Sequence, residues 1–252
     1  MRKPLPITRF LVQIIGLAIL VSLPVVDINA QEEETVPAFS PYLYLNANLQ
    51  AGLPFQLFKT NGQHESYGGG GLFLVQLGPR PLYAGLEGAM HRFDSEAVNF
   101  EEVINGFVEQ FEQTTKNNAL LAHFVLRIQP WDNSLFRPYL DGLFGTKYFF
   151  TRTTIENLET EDTQSNLEQE DWALSYGVAL GLQLGFFRNE AVTIDLRCSV
   201  LTGNNSTFLA RDPNASPPYF APVEAFWERN APAAMLIPQI GVTVDLSTVD
   251  YY

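Results

Sequence analysis

The chain has little cysteine, little positive charge and, beyond its first thirty residues, no long apolar run. A single cysteine, Cys198, excludes an internal disulfide framework and any metal site built on several thiolates. Its apolar neighbours mark it as a small buried or lipid-facing side chain rather than a reactive thiol. Lys and Arg number 15 against 28 Asp and Glu, a net charge of -13. Binding a phosphate backbone needs the opposite balance, which excludes nucleic acid as a partner. Nothing past residue 30 offers the roughly 20 unbroken apolar residues of a spanning helix. A chain that is 46% hydrophobic is nevertheless too apolar to stay disordered.

The first residues are set apart by Arg2, Lys3 and Arg9, which precede an apolar stretch from Phe10 to Val26. That stretch is interrupted by Gln13, Ser22 and Pro24 and closes on Ile28-Asn29-Ala30, the layout of a cleaved secretory signal peptide. No cysteine follows it, which argues against a lipoprotein. The expected organisation is a signal peptide over 1–30, a short periplasmic segment over 31–40, and one domain over 41–252.

Within that domain, period-two alternation divides the chain into eight segments bounded by Gly, Pro, Asn, Asp or charged clusters. They run from Pro41 to Gly52, Tyr67 to Leu77, Leu82 to Phe93, Asn118 to Gln129, Leu135 to Phe150, Asp171 to Phe187, Ala191 to Leu201 and Ala234 to Leu246. The connections alternate strictly between short and long. The short ones are 78–81, 130–134 and 188–190; the long ones are 53–66, 94–117, 151–170 and 202–233. An outer-membrane barrel has short periplasmic turns and long extracellular loops. The predicted fold is therefore all-β: a closed, antiparallel, up-and-down transmembrane barrel with both termini in the periplasm.

The alternation also says which solvent each face meets. In the sixth segment Trp172, Leu174, Tyr176, Val178, Leu180 and Leu182 share a face opposite Ser175, Gly177, Ala179, Gly181 and Gln183. In the seventh, Val192, Ile194, Leu196, Cys198 and Val200 oppose Thr193, Asp195, Arg197 and Ser199. The continuous apolar face belongs against lipid and the polar face inside, the reverse of a lipocalin-like soluble barrel. Aromatic residues gather near segment ends at Tyr42, Tyr67, Tyr148, Phe150, Trp172, Phe186 and Phe187, as in interfacial girdles.

With these patterns and its aromatic Tyr251-Tyr252 terminus, the chain resembles the small OmpA-like and OmpX-like barrels and the PorT-like barrels of Bacteroidetes. That resemblance implies an exported, Gram-negative outer-membrane protein at the cell surface, surrounded by outer-membrane lipids. It also implies that the terminus serves as a signal to the barrel-assembly machinery. No motif transfers a catalytic residue.

The interior positions collect Glu87, His91, His123, Arg127, Arg137, Asp141, Lys147, Asp195, Arg197 and Asp245. In a lumen this narrow side chains fill the space, and buried charges must pair. The readings of this group are a polar plug, a gated path for ions or small solutes, and proton transfer among Glu87, His91 and His123. No Ser or Asp lies at a sequence spacing that completes a triad. Gly68 to Gly71 are not followed by the Lys-Ser or Lys-Thr of a phosphate loop, and fit the start of a curved strand.

In the second long connection Phe100, Val103, Ile104, Phe107, Val108 and Phe111 recur at helical spacing, with Asn99 as a cap. They predict a short amphipathic helix from Phe100 to Thr114, its apolar face against the barrel rim, a partner or lipid. The fourth connection offers Tyr219, Phe220, Phe226 and Trp227 among prolines, either packing the loop or forming a contact surface. The third, rich in Glu, reads as a solvated acidic loop or a loose cation site.

Nothing calls for a cofactor or a bound metal. The leading functional expectation is a non-enzymatic structural or recognition barrel that meets a protein or surface ligand through loops two and four. The alternatives are a secretion accessory, as the PorT-like resemblance implies, and a lipid-modifying enzyme.

Overall fold

Strands whose alternate residues are apolar expose one face and bury the other, and a ring of such strands leaves no unpaired edge. The computed structural model describes residues 41–60, 64–78, 81–104, 107–131, 134–185, 191–212, 214–215 and 221–248. The expected signal peptide over 1–30 and periplasmic segment over 31–40, most residues of the short turns, Phe186, Phe187, Tyr219, Phe220 and Tyr251-Tyr252 lie outside the described residues.

The strands are β1 (Leu43–Pro54), β2 (Ser66–Gln76), β3 (Leu82–Ile104), β4 (Phe107–Ile128), β5 (Phe136–Asn157), β6 (Thr163–Leu184), β7 (Val192–Gly203), β8 (Asn205–Arg211), β9 (Phe226–Pro232) and β10 (Met235–Asp245). Eight of them close antiparallel in the order β1-β10-β7-β6-β5-β4-β3-β2, with β1 pairing both β2 and β10. The eight-stranded, up-and-down barrel expected from the alternation is the fold.

The outer wall is apolar, with Leu49 70% exposed, Leu86 65%, Leu180 67% and Phe144 60%. Cys198 is exposed on that wall among Leu196 and Val200. The glycine run lies in β2, where a side chain at Gly70 would collide with the Gln50 amide and Ala89.

The long connections depart from expectation. The segment predicted as a helix from Phe100 to Thr114 is instead the tip of a hairpin formed by β3 and β4. Its apolar residues are mirror-placed about Asn105-Gly106, so that Phe100 pairs with Phe111, Val103 with Val108 and Ile104 with Phe107. This reflection imitates helical spacing, while Asn-Gly is the strongest short hairpin signal. The acidic third loop is likewise a hairpin, β5 continuing to Asn157 and β6 resuming at Thr163.

β3 to β6 are 22 or 23 residues long, whereas a spanning strand needs about 9–11. Their surplus makes a four-stranded blade projecting from one side of the barrel. Between β4 and β5 the register runs without a shift from Phe111↔Asn157 to Ile128↔Leu140. The first long connection contains a one-turn helix, α1 (Gln56–Thr60), and the fourth a two-stranded sheet of β8 and β9 with a 3-10 turn at Pro222–Ala225.

Candidate functional site

The ten interior residues predicted to share the lumen are all buried. Four cations, Arg127, Arg137, Lys147 and Arg197, face four carboxylates, Glu87, Asp141, Asp195 and Asp245, beside the two histidines. Arg127 and Asp141 stand opposite each other on β4 and β5 and join through two bonds, Nε to Oδ1 at 2.8 Å and Nη2 to Oδ2 at 3.0 Å. From β7, Arg197 grips Glu87 with Nη1 to Oε1 at 2.7 Å and Nη2 to Oε2 at 3.2 Å, and places Nε 3.0 Å from Asp141 Oδ2. Glu87, Arg197, Asp141 and Arg127 thus form one alternating chain of charges. Forked guanidinium–carboxylate contacts of this kind offset the desolvation that makes buried charges costly.

Asp195 holds the neighbouring layer. It accepts hydrogen bonds from Tyr139 at 2.5 Å, Thr243 at 3.1 Å, and Gln183 and Asn46 at 3.5 Å. Tyr139 also lies 3.4 Å below the Arg127 guanidinium carbon, and it fits because residue 181 is glycine; a Cβ there would strike the ring. Arg137 and Asp245 have other contacts among the described residues. Arg137 donates to the Ser134 carbonyl, and Asp245 accepts from the Ser247 amide.

Sequence reading missed the amide ladder on β1, whose signal was the alternation Asn46-x-Asn48-x-Gln50. Asn48 donates to Asn46 at 2.6 Å, Gln50 to Asn48 at 2.7 Å, and Gln50 Oε1 is 2.7 Å from His91 Nε2. His91 Nδ1 is in turn 3.2 Å from Ser66 Oγ. Also missed was Ser175, whose Oγ lies 2.7 Å from His123 Nε2. One strand, β5, separates them, and glycine at 145, which pairs with both, leaves no side chain between them.

The fold thus brings a serine to a histidine, a pairing that sequence spacing does not show. The pair is nonetheless poorly placed for nucleophilic catalysis. Ser175 is fully buried and His123 is 3% exposed. Glu87, opposite His123 in the register, has both oxygens taken by Arg197.

The space between these groups is filled. The gap bounded by Asn46, Asn48, Asp195, Arg197 and Gln239 leaves no room for a water molecule. At the hairpin end Phe58 of α1 is fully buried and meets Phe93, Phe149 and Phe208 with ring centroids 5.9, 5.9 and 5.0 Å away. Such edge-on contacts are favourable arrangements for aromatic rings.

Loop four is tied down over this aromatic cap. Lys147 donates to the Ala233 carbonyl, Asn117 to the Leu209 carbonyl at 2.9 Å, and the Thr207 amide to Asp171 at 2.7 Å; Arg211 pairs with Glu96 at 2.9 Å.

Of the surface-contact candidates, Phe226 is 8% exposed and belongs to the packing of loop four, and Trp227 lies 3.3 Å beneath the Arg229 guanidinium. The hairpin tip differs. Val103 is 68%, Phe107 75% and Val108 55% exposed, while Phe100 and Phe111 stack at 5.4 Å.

No protein-family model matches the chain, and no curated protein matches it. Among solved structures it is similar to the outer membrane protein OprG of Pseudomonas aeruginosa, at 12% identity and TM-score 0.43, over 82% of this chain and 96% of that one. It is also similar to Neisserial surface protein A, at 10% identity and TM-score 0.38, over 82% and 97%. A third similar structure is a major outer membrane protein of Thermus thermophilus, at 13% identity and TM-score 0.38, over 82% and 100%.

Proposed function

We propose that the protein is a non-enzymatic outer-membrane barrel that anchors a rigid recognition surface at the cell exterior. The observation that carries this reading is the contrast between the two ends of its strands. The barrel interior is packed, charge-balanced and capped, whereas the blade ends in exposed apolar side chains at Val103, Phe107 and Val108. Exposed apolar groups of that size at a strand tip mark a contact surface more readily than a solvated loop.

Membrane insertion is supported by the apolar wall and by closure of the ring, which satisfies the backbone groups that lipid cannot. The leader-like pattern over residues 1–30 supports export. With short turns in the periplasm, the blade and loop four face outward. A protein or surface ligand meeting them is the partner this architecture serves.

The test is a pull-down from native membranes with the intact protein, with a variant lacking residues 97–114, and with one lacking 205–232. Outer-membrane fractionation is followed in parallel. The expected outcome is that all three fractionate with the outer membrane and that a specific partner is lost with the hairpin tip. Recovery of the same proteins by all three sinks the recognition role, and a secretion complex among them identifies the protein as an accessory barrel.

The His123 and Ser175 contact favours a second reading, a lipid-modifying enzyme. His123→Gln then abolishes a change in lipid A seen by mass spectrometry. An unchanged lipid profile in that variant supports the non-enzymatic reading.

A further inference from the structure

The outer wall carries an open depression of about 560 Å³ where β2, β3 and β4 meet the base of the blade, lined by apolar groups of Tyr67, Met90 and Phe93 and by the polar side chains of Arg92, Asp94 and Asn118 among others. β3 has a register irregularity there, between Arg92 and Asp94, and above it β3 leaves β2 behind. Tyr67 and Arg92 face each other across β2 and β3 and are both exposed.

Arg92 lines this depression, and Lys116 and Arg152 lie beyond it on β4 and β5. Arg127, Arg137, Lys147, Arg197, Arg211 and Arg229 are each held by a protein group. Arg92, Lys116 and Arg152 form no ion pair among the described residues. Yet they lie together. Lys116 stands directly opposite Arg152, and two positions along β4 is Asn118, the partner of Arg92. Like charges opposed across a strand pair repel, so three neighbouring cations with no ion pair among the described residues favour an external anion.

The same place carries unanswered acceptors. Asn118 is 6% exposed and its Oδ1 accepts no hydrogen bond; Asp94 Oδ2 is also without a donor, its Oδ1 lying 3.6 Å from His64. The nearby carboxylates Glu65 and Glu170 already accept from the Tyr67 and Tyr148 phenols. The occupant must therefore bring hydrogen-bond donors as well as negative charge.

Below the polar part the wall is grooved. Gly69 and Gly71 of β2 and Gly88 of β3 all fall on the outer face, Gly71 paired with Gly88, and a Cβ at Gly88 would meet nothing within 4 Å. Met90, Leu49 and Phe73 stand beside this furrow with exposed apolar side chains. An acyl chain fits such a gap, continuing from a head group above it.

We propose that this depression binds one phosphorylated glycolipid of the outer leaflet. Its phosphates lie against Arg92, Lys116 and Arg152, its sugar hydroxyls donate to Asn118 and Asp94, and an acyl chain lies along the Gly69–Gly71–Gly88 furrow. This rests on the outer-membrane location proposed above. Anion–guanidinium contacts give the site affinity, and the sugar donors and furrow distinguish the ligand from a simple anionic phospholipid.

The test is native mass spectrometry of the detergent-purified full chain titrated with bisphosphorylated lipid A, with the same lipid stripped of phosphate, and with phosphatidylglycerol. The intact protein is expected to retain one lipid A in preference to both comparators. Arg92→Ala with Lys116→Ala should weaken retention roughly tenfold, as loss of charge-assisted contacts implies, and Gly88→Leu should weaken it by blocking the furrow. Fold is checked by the fast-migrating band of the unheated barrel, and location by outer-membrane fractionation of the same variants. Equal retention of lipid A by the folded double variant overturns the site, as does equal retention of phosphatidylglycerol or of the phosphate-free lipid. Either result with outer-membrane location intact overturns this site alone; failure to fractionate overturns the location on which it rests.

Discussion

Asp141 is the residue on which the lumen turns, because it serves Arg127 through two bonds and Arg197 through a third contact. Asp141→Ala leaves two buried guanidinium groups short of a counter-charge, and breaking such a pair costs about 3–5 kcal/mol. Tyr139→Phe removes only the hydrogen bond to Asp195 and keeps the ring beneath Arg127; a bond to a charged group contributes about 1.5–3 kcal/mol. Urea titration followed by the loss of the fast-migrating band on unheated gels should therefore place Asp141→Ala well below Tyr139→Phe, and both below the parent. The reverse order would mean that the charges are hydrated rather than packed. At this scale the sequence was informative about which residues face inward, since parity along a strand determines it. It was silent on pairing, since Glu87 and Arg197 lie 110 positions apart and meet only through the closure of the ring.

The elements divide into those that make the wall and those that rise from it. A variant in which residues 97–114 are replaced by a two-residue turn keeps every barrel pair of β3 and β4 below Asp94 and Asn117, and should fold and migrate as the parent does. Removal of 205–232 is expected to do something different, because Phe208 leaves the aromatic cap and the ties at Thr207 and Leu209 go with it. Planar-bilayer recording should show a small, noisy conductance in that variant and none in the parent; a silent variant would place the seal in the charged layer alone. The barrel strands were legible because one face is apolar and the other a polar interior, so their alternation is strict. The blade was not legible, because its buried positions, such as Thr115, Thr153 and Asn157, are polar, so period two fades. What remained was the apolar set at Phe100, Val103, Ile104, Phe107, Val108 and Phe111, whose mirror symmetry about Asn105-Gly106 passes for the periodicity of a helix.

For the whole molecule, the test is where a charge hurts. Leu180→Arg puts a guanidinium on the outer wall, where the penalty reaches about 2–4 kcal/mol at mid-membrane. Leu158→Arg puts one at the exposed end of the β5–β6 hairpin, where a surface change away from special features stays within about 0.5 kcal/mol. Folding titrations in lipid vesicles should separate the two, and equal effects would argue against a membrane-embedded wall. The seam between β4 and β5 adds a mechanical consequence. It keeps one register from the upper blade to the foot of the barrel, so a pull on the tip runs along the strand axes and loads the backbone hydrogen bonds in shear, many at once. A loop would uncoil under the same force. This blade transmits it into the wall.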